Sequence, residues 1–179
     1  MNRFQFFTVV WRPDLPRALA LRDSVSRALP GTACTIAVVD RPGTVVPKSL
    51  TDVLTIDDIS LPGPEWWLFT ASAQGAVDLA PAFARALSDG ARDSVYLAPS
   101  LLATPAAHKL TFTADALPPP GSPLVIRFPA DGPSPTILAS TAKPADDAIV
   151  TDAYDLGPVP PPFIDFSSHH SSTATWHVD

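Results

Sequence analysis

Few side chains in this sequence are placed to do chemistry, and the positions that matter most are Trp11, Asp40, Ala98 and Ser100. Trp11 closes the apolar run Phe4 to Trp11, where its ring could stack on a base; covering the end of the core is the simpler reading. Asp40 follows Thr35-Ile36-Ala37-Val38-Val39, where a carboxylate could hydrogen-bond a nucleoside. A turn residue ahead of Arg41-Pro42-Gly43 accounts for it more simply. Ala98 and Ser100 flank Pro99 just after Val95-Tyr96-Leu97, the place where a strand should leave its sheet and where α/β domains hold their ligands. Neither residue suits a hard divalent cation: Ala98 has no ligand atom, and the Ser100 hydroxyl is a poor substitute for a carboxylate.

Other metal and nucleophile chemistry has less support. Asp165, His169, His170, His177 and Asp179 are metal-capable residue types, but their spacing matches no established zinc pattern. The surrounding Ser-rich tail is not expected to preorganise ligands. Cys34 is the only cysteine, which excludes both an intrachain disulfide and a cysteine-based zinc site. It falls at the start of a strand that reads as buried. Nothing resembles a Gly-x-Ser-x-Gly elbow, a Gly-x-Gly-x-x-Gly turn or a phosphate-binding Walker loop. The catalytic, cofactor and metal assignments are therefore none, with Trp11, Asp40, Ala98 and Ser100 as the candidate ligand-binding positions.

The elements that must position these residues can be read from periodicity. Phe4 to Trp11 is rich in aromatic and β-branched residues and predicts a central strand, apolar on both faces. Arg12-Pro13-Asp14 breaks it, and Asp14 is placed to cap a helix through Leu29. Ala18, Leu21, Val25 and Ala28 give that helix one apolar stripe, and Pro30-Gly31 ends it. Thr35 to Val39 predicts a second strand, parallel to the first through a right-handed crossover. A short strand over Val53 to Ile56 precedes a turn opened by Asp57-Asp58. Helical stretches are expected over Glu65 to Leu79 and Pro81 to Ser88, with Pro81 in a first turn and Gly90 as the exit. Trp66-Trp67 reads as a hydrophobic anchor or contact surface.

Past Pro105 the signals weaken. Leu124 to Phe128, Thr136 to Ala139 and Ala148 to Thr151 predict short strands, separated by Pro118-Pro119-Pro120-Gly121 and Ala130-Asp131-Gly132-Pro133. Gly157 to Asp179 is expected to have little regular structure. Of 22 prolines, twelve lie between Leu117 and Phe163, so that region cannot be mainly helical. The expected organisation is an α/β domain over residues 1–116, carrying a proline-rich β or irregular extension over 117–179 packed on it.

Bulk numbers bound the partners. With 179 residues the chain suits one domain, and 46% hydrophobic against 17% charged residues fits a folded protein. A net charge of −6 without a Lys/Arg cluster argues against nucleic acid and anionic membrane. The N-terminus has no signal-peptide plan, and no apolar run reaches membrane-spanning length, which predicts a soluble cytoplasmic protein.

The ordered segments Phe6-Phe7-Thr8-Val9-Val10, Ala20-Leu21-Arg22-Asp23-Ser24-Val25, Ile36-Ala37-Val38-Val39-Asp40, Asp57-Asp58-Ile59-Ser60-Leu61-Pro62, Ala76-Val77 to Gly90, and Val95-Tyr96-Leu97 resemble a bacterial glycosyltransferase-like family with the GT-A fold. The resemblance covers residues 1–105 and rests on order and spacing. It implies a mostly parallel, Rossmann-like sheet with flanking helices and a nucleotide-diphosphate sugar as ligand. It also implies an Asp-x-Asp metal motif at 98 and 100, where this chain has Ala98-Pro99-Ser100. The family's Lys-Pro after Ala-Val is replaced by Asp78-Leu79-Ala80-Pro81 after Ala76-Val77. These departures lead to the expectation of a catalytically inactive relative that acts as a binding or interaction module, with a protein partner or a second copy of itself. A metal-independent transferase using Arg12, Arg41, Arg92 or Lys109, and a nucleotide-sugar binder without turnover, are the alternatives.

Overall fold

The computed structural model describes residues 4–40, 43, 45–47, 49–59, 73–106, 109–114, 122–132, 134–140 and 175–178. Strand β1 (Phe4–Trp11) lies at the centre of a six-stranded sheet, buried along its length until Trp11. A single 3-10 turn, Arg12–Asp14, leads directly into helix α1 (Leu15–Ala28). Asp14 occupies the cap position, but its side chain makes no capping hydrogen bond; Pro16 near the start of the helix sets the backbone instead. Ala18, Leu21 and Val25 are buried as the stripe requires, and so is Ser24. The helix ends before Gly31, which adopts φ +83.

Strand β2 (Cys34–Val39) runs parallel to β1 in the register Phe6 to Cys34 through Trp11 to Val39. Strand β3 (Val53–Thr55) pairs parallel to β2, and Ile56, expected in that strand, instead begins a 3-10 turn, Ile56–Asp58. There Asp58 Oδ2 accepts from the Thr55 backbone N–H at 2.6 Å, so Thr55 and Asp58 close a capping box. Helices α2 (Ala73–Asp78) and α3 (Ala80–Leu87) come next, with Pro81 in the first turn of α3. Gly90 turns the chain at φ +72 into strand β4 (Asp93–Leu97), which pairs parallel to β1 on the side away from β2.

The later half reverses direction. Strand β7 (Pro123–Phe128) lies antiparallel to β4, and β8 (Thr136–Ser140) antiparallel to β7, with register irregularities between Pro123 and Ile126. The sheet order is β3-β2-β1-β4-β7-β8, mostly parallel, with only β7 running against the rest. Strands β5 (Leu101–Ala106) and β6 (Lys109–Ala114) form a hairpin that joins β9 (Thr175–Val178) in a separate three-stranded sheet. One sequence expectation needs correction here: Thr175–Val178 is a regular strand inside a segment read as irregular. Strands β5 and β6 lie over 101–114, for which the sequence set no expectation. The proline-rich region thus supplies β7 and β8 to the six-stranded sheet, and residues before 117 supply β5 and β6 to the smaller one. Residues 65–72 of the first helical stretch, Trp66-Trp67 among them, and the strand expected over 148–151 lie outside the described residues.

The core straddles the large sheet. Val10, Ile36 and Val38 pack with Ala18 of α1, while Phe7, Ala37 and Tyr96 belong to a larger cluster with Phe83 of α3. Strand alternation places Phe7 and Val10 on opposite faces, so both faces are covered by apolar side chains. Tyr96 and Phe7 meet edge to face at 5.9 Å between ring centroids. No helix among the described residues is long and apolar enough to cross a membrane.

Candidate functional site

The carboxyl ends of β1, β2 and β4 carry all four sequence-nominated positions, because these strands run in parallel and end at the same edge. The order reverses about β1: the chain passes from β1 to β2 on one side and later to β4 on the other. That is the topological switch point at which open α/β sheets form a ligand crevice.

At the β1–β2 corner, the register pairs Trp11 with Val39, which brings the next residues, Arg12 and Asp40, side by side. Arg12 Nη1 donates to Asp40 Oδ2 at 2.9 Å. Both side chains are partly exposed, so the pair pins the corner more than it stabilises the fold. Trp11 is half-buried and packs against the large core cluster, the role that sequence reasoning took as the simpler one. The partnership of Arg12 with Asp40 was readable from two parallel strands each followed by one charged residue, but sequence analysis took the two singly.

At the end of β4 the chain makes a tight turn. The Ala98 N–H donates to Leu124 O of β7 at 2.8 Å, and the Leu101 N–H donates back to Ala98 O at 3.0 Å. Ala98 is 2% and Ser100 8% exposed, so this turn is packed into the core. Among the described residues Ser100 Oγ is buried without a hydrogen-bond partner, as are Thr8 Oγ1 and the Tyr96 hydroxyl. Burial pushes the Tyr96 phenol well above its usual range, so it stays neutral.

Helix α1 is tied to the chain beyond this turn. Ser24 Oγ donates to Leu21 O at 2.7 Å and accepts the Ala103 N–H at 2.8 Å, linking the helix to the first residues of β5. Sequence analysis missed this serine, although its place three residues after Leu21 on the apolar stripe was a signal that it would be buried.

Cys34 is a free thiol, buried at the start of β2, and burial pushes it up to about 12, with Arg22 pulling weakly the other way. A thiol so raised is no nucleophile at neutral pH. Among the described residues, no group of three or more His, Cys, Asp or Glu side chains stands together. Asp165, His169, His170 and Asp179 lie outside the described residues. His177 is described only through its backbone, which pairs with Thr111 in the small sheet.

No protein-family model matches the chain, and no curated protein or solved structure does so.

Proposed function

We propose that this chain is a catalytically inactive binding or interaction module on a GT-A-like, Rossmann-like scaffold. The observation that carries this reading is the turn after β4. Where transferases of that kind present metal-binding carboxylates to solvent, Ala98 and Ser100 are buried and the Ala98 backbone is bonded to Leu124 and Leu101. A divalent ion would meet no carboxylate there to offset its dehydration. Sugar transfer from a nucleotide diphosphate needs the leaving group's charge to be stabilised, and losing one such donor typically slows a reaction about 100- to 1,000-fold.

The cations that could stand in for a metal weigh against the enzyme alternative. Arg12 is held by Asp40. Arg92 precedes β4, at the opposite end of the strand from Ala98. The side chains of Arg41 and Lys109 lie outside the described residues. The partner under this reading is a protein or a second copy of the chain, with a nucleotide or nucleotide sugar held without turnover as the alternative.

A thermal-shift screen of nucleoside diphosphates and their sugars, with and without manganese, tests it, together with an assay for released diphosphate. The inactive module shows no manganese-dependent shift and releases no diphosphate. Turnover by the isolated chain that is lost in Arg12→Ala would establish the transferase instead.

A further inference from the structure

At the other end of β4, away from the turn at Ala98, a groove of about 340 Å³ opens between α3, the start of β4 and the β7–β8 connection. We propose that this groove is a binding site for a small organic phosphate, a phosphate ester carrying a flat apolar group. It is independent of the reading given to the Ala98 turn.

Charge is the first observation. The chain carries a net −6, yet the described residues lining this groove include two arginines, Arg85 and Arg92, and no carboxylate, although Asp89 beside the groove pairs with Arg92. Arg12, Arg22, Arg92 and Arg127 each reach an acidic side chain. Arg85, exposed on the last turn of α3, reaches none among the described residues. A planar guanidinium left without a carboxylate is suited to the paired oxygens of a phosphate.

The second observation is that the other arginine is held in place before any ligand arrives. Asp89 Oδ1 accepts the backbone N–H groups of Ala91 and Arg92, each at 3.0 Å, and Oδ2 accepts Arg92 Nε at 2.8 Å. The loop and its arginine therefore form one unit, held through Nε, with no bond among the described residues at the terminal nitrogens of Arg92. Ser94, buried at the base of the groove, accepts from Gln5 Nε2 at 3.1 Å and so keeps its own proton to donate. Ser88 and Ser134 add two more hydroxyls to the lining.

The third observation is the opposite wall. Phe128, Pro129 and Pro135 give it flat apolar surfaces. A Cβ on Gly132 would stand 2.7 Å from Pro129 Cβ, so the wall is built around the absence of a side chain there. The volume lies at the low end of the range for small-molecule sites, about 300–1,000 Å³, which fits a phosphate with a single ring better than a nucleotide sugar. Asp93 and Asp131 line a neighbouring depression, where the Arg127 guanidinium already binds Asp93.

Calorimetric titration of the full chain with phenyl phosphate tests the proposal, with phenol and inorganic phosphate supplying each half of the ligand alone. Phenyl phosphate should bind saturably at one site, each half alone should bind at least about tenfold more weakly, and raising salt should weaken binding. Arg85→Ala, at an exposed side chain with no described partner, should retain the native circular dichroism spectrum and lose about tenfold or more in affinity. Arg85→Lys should recover only part of it. Absence of saturable binding at millimolar phenyl phosphate, equal binding of phenol, or undiminished affinity in Arg85→Ala would each overturn it.

Discussion

Arg12 and Asp40 meet at 2.9 Å across the carboxyl ends of two parallel strands. Each was attractive singly, one as a phosphate-side cation and the other as a nucleoside acceptor. Together they satisfy each other, and a ligand that wanted either would have to break the pair. Because both are partly exposed, breaking it costs little, on the order of 0–1 kcal/mol. Asp40→Asn is therefore expected to leave the urea midpoint almost unchanged. A loss above about 1 kcal/mol would mean that the corner is a structural joint rather than an idle surface pair.

Ser24 is expected to behave differently. Its hydroxyl satisfies the Ala103 N–H inside the protein, and Ser24→Ala leaves that donor buried without an acceptor. The expected destabilisation is about 1–3 kcal/mol, read from the denaturant midpoint at constant slope.

Tyr96→Phe should go the other way. The Tyr96 hydroxyl is buried with no partner among the described residues, so removing it takes away a desolvated group without breaking a described bond. Stability should hold or rise by up to about 1 kcal/mol. Destabilisation comparable to that of Ser24→Ala would show that the phenol is hydrogen-bonded in solution.

Asp93 and Arg127 join β4 to β7 through Arg127 Nη2 and Nε, at 2.6 and 2.7 Å from Asp93 Oδ2. Asp93 Oδ1 also accepts the Ala130 N–H at 2.9 Å. Arg127→Lys keeps the charge and loses the fork, and should cost about 1–2 kcal/mol in urea unfolding. An unchanged midpoint would mean that charge alone suffices.

Two groups give opposite pH signatures. Hydrogen bonds from the Ala91 N–H, the Arg92 side chain and the Arg92 N–H hold Asp89 at about 2, below its ordinary value of 3.8. Its contribution is present above pH ~4 and fades as pH falls toward 2. Cys34 is raised from 9.0 to about 12, so its neutral form is favoured in the fold. That contribution is full below pH ~9 and is lost as pH rises toward 12, because the unfolded thiol ionises first. An NMR carboxyl titration should place the Asp89 midpoint near 2 in the native protein. A thiol reagent at about pH 8 should label Cys34 only after denaturant is added, and rapid native labelling would contradict its burial.

The first half of the fold was legible because its elements are long and periodic. Phe4–Trp11 and the stripe of Ala18, Leu21 and Val25 announce a strand and a helix from local pattern alone. Pro105 hid β5, because a proline inside a run argues against a strand. It is tolerated there because β5 is the edge of the small sheet, where a missing N–H need not leave a ladder partner unsatisfied. Strand β9 escaped because its partner, β6, is distant in sequence and its own four residues carry no period. The site was half legible: the position of Ala98 and Ser100 could be read, but their burial depends on β7, whose antiparallel placement no local pattern encodes.

The bond between Gln5 and Ser94 spans 89 residues, and the strand holding Gln5 sits in the middle of the sheet. As the chain emerges from a ribosome, β1 and β2 can pair early, but one side of β1 must wait for β4. It does so as an aromatic, uncovered edge. Loop-closure entropy over such a span predicts slow folding, with an interval in which Phe4, Phe6 and Phe7 are available to a chaperone or to another unfinished copy. The time at greatest risk for this molecule is thus the period of synthesis between Trp11 and Asp93.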